Sequence, residues 1–316
     1  MEIINVPPPS ASKDDTSETQ QYLSSAEDAA LAMSNGRWQA QLNLIIANRE
    51  AGARLVSCHR RGPLHIQKSF YPEGNEIAHL YILHPPGGLV SGDSLTITAI
   101  VEANSKALIT TPGAGRLYGA RKNAKPQLQS NQLTIKAGAS LEWLPMETLF
   151  YSRSFGRSDT KVEIEEGGKF IGWDICSLGL PASNELFTEG ELRQTFEIVY
   201  KGQVDWIERW KFNAEDKNFL ASSAGLNGQS CNGVFFAGPF DDGLEPEVIA
   251  ELQAICQTTR ESQQGVAGVS LVKHWLVVRY LGPSTTHARA VFTKAWFILR
   301  PLLLDRAACS PRIWAC

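Results

Sequence analysis

Residues 38–46 read Trp38-Gln-Ala-Gln-Leu-Asn-Leu-Ile-Ile46, with Trp38, Ala40, Leu42, Leu44 and Ile46 on one parity and Gln39, Gln41 and Asn43 on the other. Successive side chains of a strand point to opposite faces, so this period of two predicts a strand with one buried and one wet face. The pattern returns downstream. Leu95, Ile97, Ala99 and Val101 alternate with Ser94, Thr96 and Thr98, and Val204, Trp206, Trp210 and Phe212 stand opposite Asp205, Arg209 and Lys211. Turn clusters separate these runs at Glu73-Gly-Asn75, Pro85-Pro-Gly-Gly88, Pro112-Gly113, Gly167-Gly168 and Lys201-Gly202. Short strands punctuated in this way predict a mainly β body.

Phe170-Ile-Gly-Trp-Asp-Ile-Cys176 is apolar on both parities, which predicts a strand covered on both faces. Two helices are expected, both late. Glu245-Pro246 opens one, with Val248, Ile249, Leu252, Ile255 and Cys256 on one stripe. Ser284 caps the other, in which Val291, Phe292, Ala295, Trp296 and Leu299 face together before Pro301 stops it. No linker interrupts residues 36–316, which are read as one domain. Residues 1–35, rich in Ser, Pro, Asp, Glu and Gln, are read as a mobile tail with a weak helix over Glu18 to Met33.

The 316 residues carry a net charge of −3, and no run of Lys and Arg stands out, which argues against a nucleic-acid binder. Six cysteines are scattered without a Cys-x-x-Cys pair, as in a reduced compartment. The N-terminus has neither a basic nor an apolar leader segment, and no apolar run reaches membrane-span length. A cytoplasmic protein is expected.

Pro86-Gly-Gly-Leu-Val-Ser-Gly-Asp93 has the glycines of a phosphate loop, yet Asp93 stands where a P-loop needs its lysine, and an anion there repels phosphate. Gly113-Ala-Gly-Arg-Leu-Tyr-Gly119 is off-register for a dinucleotide fingerprint. Both read as tight turns. No nucleophile elbow is present, and the six histidines lack metal-ligand spacing: His79 and His84 fall on opposite faces of a strand.

Three acids are more informative. Glu208 shares parity with Trp206, Trp210 and Phe212, Asp93 shares it with Leu95 and Ile97, and Asp174 lies in the doubly covered strand. Inward carboxylates need hydrogen bonds, a counter-ion or a cation. One account gives them turn backbone, or an arginine such as Arg209 or Arg279. The other has them line a wet interior passage, where carboxylate and water hold a divalent ion only weakly. The terminal Trp314 is read as a packed anchor.

Taken together, several segments resemble the UreD (UreH) family of urease accessory proteins. They are Gly62-Pro-Leu64, Phe70-Tyr-Pro-Glu-Gly74, His84-Pro-Pro-Gly-Gly-Leu-Val-Ser-Gly-Asp93, Thr110-Thr-Pro-Gly-Ala114, Leu141-Glu-Trp-Leu-Pro145, Gly172-Trp173, Arg279-Tyr-Leu-Gly282, Trp296 with Arg300-Pro301, and Pro311-Arg-Ile-Trp314. The chain departs from the family pattern at Gly119, where an arginine is usual and Arg121 stands nearby, and at Leu180, which also replaces an arginine. The resemblance implies a stacked-sheet, β-helix-like single domain with two late helices, and a nonenzymatic maturation role. It implies a GTP-dependent complex with UreF and the GTPase UreG on apo-urease, with nickel in transit and no tightly bound cofactor. The positions matching the family's acidic tunnel are Asp93, Asp174 and Glu208. An adaptor without a nickel passage, and a β-rich hydrolase using Asp93 and Glu208, are the alternatives.

Overall fold

The computed structural model describes residues 33–34, 37–121 and 125–315. The tail expected over residues 1–35, with its weak helix, lies outside the described residues except for Met33 and Ser34. Eight strands form one sheet: β1 (Met33–Ser34), β2 (Arg37–Arg49), β3 (Gly52–Arg61), β6 (Ser94–Val101), β9 (Gln127–Ile135), β12 (Ser154–Ile164), β15 (Gly190–Tyr200) and β16 (Gln203–Asn213). Eleven form the other: β4 (His65–Phe70), β5 (Ala78–Leu83), β7 (Lys106–Thr110), β8 (Gly115–Leu117), β10 (Ser140–Leu144), β11 (Thr148–Phe150), β13 (Lys169–Leu180), β14 (Glu185–Leu186), β17 (Cys231–Gly238), β18 (Val266–Val272) and β19 (Trp275–Gly282).

From β5 to β15 the main strands alternate between the two sheets, and within each sheet successive ones are parallel. Parallel neighbours need a crossover, normally a helix. Here the crossover is a strand of the opposite sheet, so the chain winds as a stack of β-coils. One corner of every coil is a tight turn, and these turns stack. Gly138, at φ +67°, lies so close to Asn104 that a Cβ would stand 2.4 Å from its Oδ1, which is why no side chain fits there. The opposite corner carries the long connections 84–93, 111–121, 145–153 and 181–189, with the short strands β8, β11 and β14 inside the last three. Residues 86–93 form such a loop, in agreement with their reading as a turn, whereas the second Gly-rich segment holds strand β8 at Gly115–Leu117, paired in parallel with β11, and is not a simple turn.

The first sheet buries one face and wets the other. Ala40, Leu42, Leu44 and Ile46 are buried between exposed Gln39, Gln41 and Asn43, and Leu95, Ile97, Ala99 and Val101 repeat the pattern. The second sheet is covered twice, by the first sheet and by helices α2 (Pro246–Glu261) and α3 (Thr285–Leu304). Its central strands are accordingly apolar on both parities. Leu252 and Cys256 of α2 are buried, and Ser284 caps α3 by accepting from Thr286 N at 3.2 Å. A five-residue helix, α1 (Lys217–Ala221), is additional. Among the described residues no helix is long and apolar enough to cross a membrane, and the five described cysteines are free.

Two expectations change. Pro301 does not stop α3, which runs to Leu304. Pro301 sits on the exposed side, while Leu303 is buried and its carbonyl accepts from Lys169 Nζ at 2.7 Å, so tertiary packing holds the last turn. Val204 does not face inward. A bulge between Ile198 and Val199 shifts the register, leaving Val204 54% exposed. Asp205 turns in instead, where it accepts from Lys273, His274 and Trp275.

Arg300 is fully buried and clamped by two carboxylates. Its Nε donates to Glu142 Oε2 at 2.9 Å and its Nη2 to Glu73 Oε1 at 2.8 Å, and it also reaches the Ala307 carbonyl. Trp296 Nε1 donates to Glu142 at 2.6 Å, and buried His79 meets Glu73 at 2.7 Å. Burial pushes the Glu73 carboxyl up, but hydrogen bonds from His79 and Arg300 outweigh it and bring it down to about 2. Arg300→Met strands two buried carboxylates and is expected to cost about 3–5 kcal/mol in urea unfolding. The Glu73 contribution is present above its ordinary value of 4.5 and is lost as pH falls toward 2. Acid titration of stability is therefore expected to be shallower over that window in the variant than in the wild type.

Candidate functional site

Because parallel coils stack in register, residues at equivalent positions lie side by side along the stack, one strand spacing apart. The inward positions of the first sheet are mostly apolar, with one exception. Gln129 pairs with Ser158 and Ser158 with Gln194, while the neighbouring rank pairs Asn131 with Thr160. Asn131, Ser158, Thr160 and Gln194 are all buried. Asn131 Nδ2 donates to Thr160 Oγ1 at 2.9 Å, whereas buried Asn131 Oδ1 and Ser154 Oγ have no hydrogen-bond partner among the described residues. Polar atoms in that position call for water. The result is a polar seam between two apolar layers.

At one end of the seam is a cleft of about 180 Å³ walled by the loops after β5 and β7, with His84, Thr111, Gly113, Arg116 and Gln129 among its lining. Burial lowers the His84 imidazole pKa, partly offset by the charge of Asp93. At the other end, Asp174, Gln194, Phe196, Glu208, Trp210 and Asn232 surround a cavity of about 10 Å³, room for roughly one water. Beyond it lies a groove of about 230 Å³ that shares Glu208 and Trp210 and adds Val266, Arg279 and Tyr280.

The three sequence-predicted acids fare differently. Asp174 and Glu208 are brought to the same small cavity, from opposite sheets. Burial pushes the Asp174 carboxyl up to about 6, against the opposing effect of hydrogen bonds from Gln194 and the Ile175 backbone. Glu208 is held in a two-pronged ion pair, with Arg279 Nη2 at 2.8 Å and Nε at 3.2 Å, and it accepts from Trp206 Nε1 at 3.3 Å. Asp93 is buried but is not among the residues lining that cavity. Its two oxygens accept from the backbone N–H groups of Trp38 and Val90, each at 2.9 Å, and so tie the 84–93 loop to β2. Both partners named in the plainer sequence account, turn backbone and Arg279, are therefore in use.

The seam residues Gln129, Asn131, Ser158, Thr160 and Gln194 escaped sequence reasoning. A signal existed: Leu133 and Ile135 set the inward parity of β9, and that parity carries Gln127, Gln129 and Asn131 inside. Cys176 follows Asp174 on the same face, and its thiol, pushed well up by burial, donates to Asn232. Among the described residues no three His, Cys, Asp or Glu side chains converge as a metal cluster. The arrangement offers a cation isolated carboxylates, amide oxygens and water, a weak oxygen-donor set. Trp314 is an anchor, packed tilted against Trp173 and edge-on to Trp296 and donating to Thr110 Oγ1 at 3.0 Å.

Comparison with known proteins places this architecture. The family model described as UreD urease accessory protein matches residues 39–315. Urease accessory protein UreD of a Marinomonas species is 41% identical over 285 residues, covering 88% of this chain and 90% of that protein. UreD proteins of a Nostoc species and of Methylobacillus flagellatus are each 37% identical, covering 88% and 90% of this chain and 96% of theirs. A match of this extent, along nearly the whole stack of coils, means that the chain belongs to the UreD family of urease accessory proteins.

Proposed function

We propose that this chain is a cytoplasmic, nonenzymatic urease maturation factor, a scaffold that also conducts nickel toward apo-urease within a GTP-dependent complex with UreF and UreG. UreG supplies the GTP hydrolysis, since the Gly-rich loops here carry no phosphate-binding lysine. The supporting observation is the polar seam: a row of buried amides and hydroxyls that crosses an otherwise apolar interior and leads to Asp174 and Glu208. A pure adaptor has no physical need for such a row, because burying polar side chains costs free energy unless they are satisfied.

The chemistry suits transit. A divalent ion shedding water at the one-water-wide cavity meets the Asp174 carboxylate, the Gln194 and Asn232 amides and remaining water, a set that binds weakly and releases readily. Arg279 already neutralises Glu208, so Asp174 carries the attraction until that arginine withdraws. Asp93 contributes through the loop it ties down. The hydrolase alternative lacks its carboxylate pair, since Asp93 does not line the cavity that holds Glu208.

Asp174→Leu is expected to leave the complex assembled while urease matured with it takes up about tenfold less nickel, equivalent to about 1.4 kcal/mol of lost cation stabilisation. Metal analysis of the purified urease reads the outcome, and an unchanged nickel content reduces the protein to an adaptor. The raised Asp174 carboxyl adds a pH signature. Its charge is present above about 6 and lost below it, so nickel transfer in a reconstituted complex should fall through that pH, and Asp174→Asn should flatten the profile.

A further inference from the structure

Terminal strands of a sheet present unpaired N–H and C=O groups, and proteins blunt them with charge, proline, bulges or brevity. The long terminal strands here mostly follow that rule. β3 carries Arg54, His59, Arg60 and Arg61, and β16 carries Glu208, Arg209 and Lys211 beside a register shift. β4 carries His65 and Lys68 and is itself irregular between Ile66 and Ser69. β18, which ends the second sheet at the other side, reads Val266-Ala-Gly-Val-Ser-Leu-Val272. It has no charge, no proline and no bulge, and its seven residues pair in unbroken register with β19.

Its surroundings are mostly apolar. Ala267 and Val269 pack toward the helices, which turns Val266, Gly268, Ser270 and Val272 to the other face. Val266 is 53% and Val272 40% exposed on that face. Beside them runs the groove of about 230 Å³, mostly apolar, with Trp210, Tyr280 and Leu281 in its wall and the mutually neutralised Glu208–Arg279 pair next to them. Among the described residues no backbone hydrogen bond from another element reaches the outer side of β18.

We propose that β18 is a docking rail for an extended, uncharged segment of a partner protein, which adds as a strand and places apolar side chains, at alternate positions, over Val266 and into the groove. Main-chain pairing supplies the attraction and the groove the selectivity, as in strand addition generally. The size of the rail decides between occupants. Seven residues span about 23 Å, and an edge of that length buries far less than the about 800 Å² per partner of a stable rigid interface. A second folded copy held only by this edge would not persist. A flexible segment of a partner already anchored elsewhere needs no larger area.

The test uses the full chain alone and in its co-expressed complex with UreF, UreG and apo-urease, followed by amide hydrogen exchange with peptide-level readout. Amides of residues 266–272 are expected to exchange at least about tenfold more slowly in the complex, a change of about 1.4 kcal/mol in opening free energy. The double substitution Val266→Lys with Ser270→Lys is expected to abolish that protection, and Val266→Thr with Ser270→Thr, which keeps strand propensity, to retain it. An assembled complex with β18 exchanging as in the free chain overturns the proposal. So does protection in the chain alone that rises with its own concentration together with a dimer mass, which assigns the edge to a second copy. Nickel is not measured here, so failure of the conduit leaves this result standing. Failure of the complex to assemble at all counts against the maturation reading and against this one together, whereas an unprotected rail counts against this one only.

Discussion

A buried arginine held between two buried carboxylates is the point on which this architecture turns. Stacked β-coils touch mainly their immediate neighbours, so nothing in the strand ladders alone ties distant coils together. Arg300 does so from α3, reaching Glu142 on β10 and Glu73 in the turn before β5. Lys169 to the Leu303 carbonyl and Trp314 to Thr110 add two more ties from the C-terminal region to separate coils. Removing both partners of such a buried pair can be neutral, but removing one leaves a charge without solvent or counter-ion. The strap is thus an all-or-none device. It also explains why a proline is tolerated inside α3, since the final turn is fixed from outside the helix.

The same in-register stacking that makes the coils stable also organises the interior. In a helical bundle, a polar residue at one core position says nothing about its neighbours on the next helix. In parallel coils, one rank of positions runs the length of the stack, so a few polar substitutions at one rank become a continuous row. Gln129, Ser158 and Gln194 come from three different strands yet stand side by side because their registers match. The stacked tight turns show the corollary with charge: just past the ends of β9, β12 and β15, Lys136 pairs with Glu165 and Lys201 with Glu166 across adjacent coils, at the surface and each of small energetic value.

Much of this was legible in the sequence, for a definite reason. Alternation in Trp38 to Ile46 and in Leu95 to Val101 reports which side of a strand is buried, and burial is what decides alternation. Doubly apolar Phe170 to Cys176 reports helices on the far face, and Ser284 and Pro246 report helix starts through local backbone chemistry. What alternation does not report is which strands are neighbours. The row formed by Gln129, Ser158 and Gln194 therefore stayed hidden although each parity could be assigned. A bulge is invisible for a related reason: one extra residue between Ile198 and Trp206 exchanges the faces of Val204 and Asp205, and nothing local to that tetrad marks it. Pro301 shows the converse, a strong local stop overruled by packing of Leu303.

The two acids at the end of the seam are chemically unlike despite sharing a cavity. Glu208 faces an arginine that is 43% exposed, a long cation able to leave for water without uncovering a buried charge. Asp174 takes hydrogen bonds from the Gln194 side chain and the Ile175 backbone rather than from a cation, and its raised carboxyl records the cost of ionising there. An arriving cation and the ionisation of Asp174 therefore reinforce each other, each lowering the cost of the other, while at Glu208 a cation must compete with Arg279. If a divalent ion follows the seam, the order of events is fixed by this asymmetry: capture at Asp174 first, then release past Glu208 once Arg279 has moved aside.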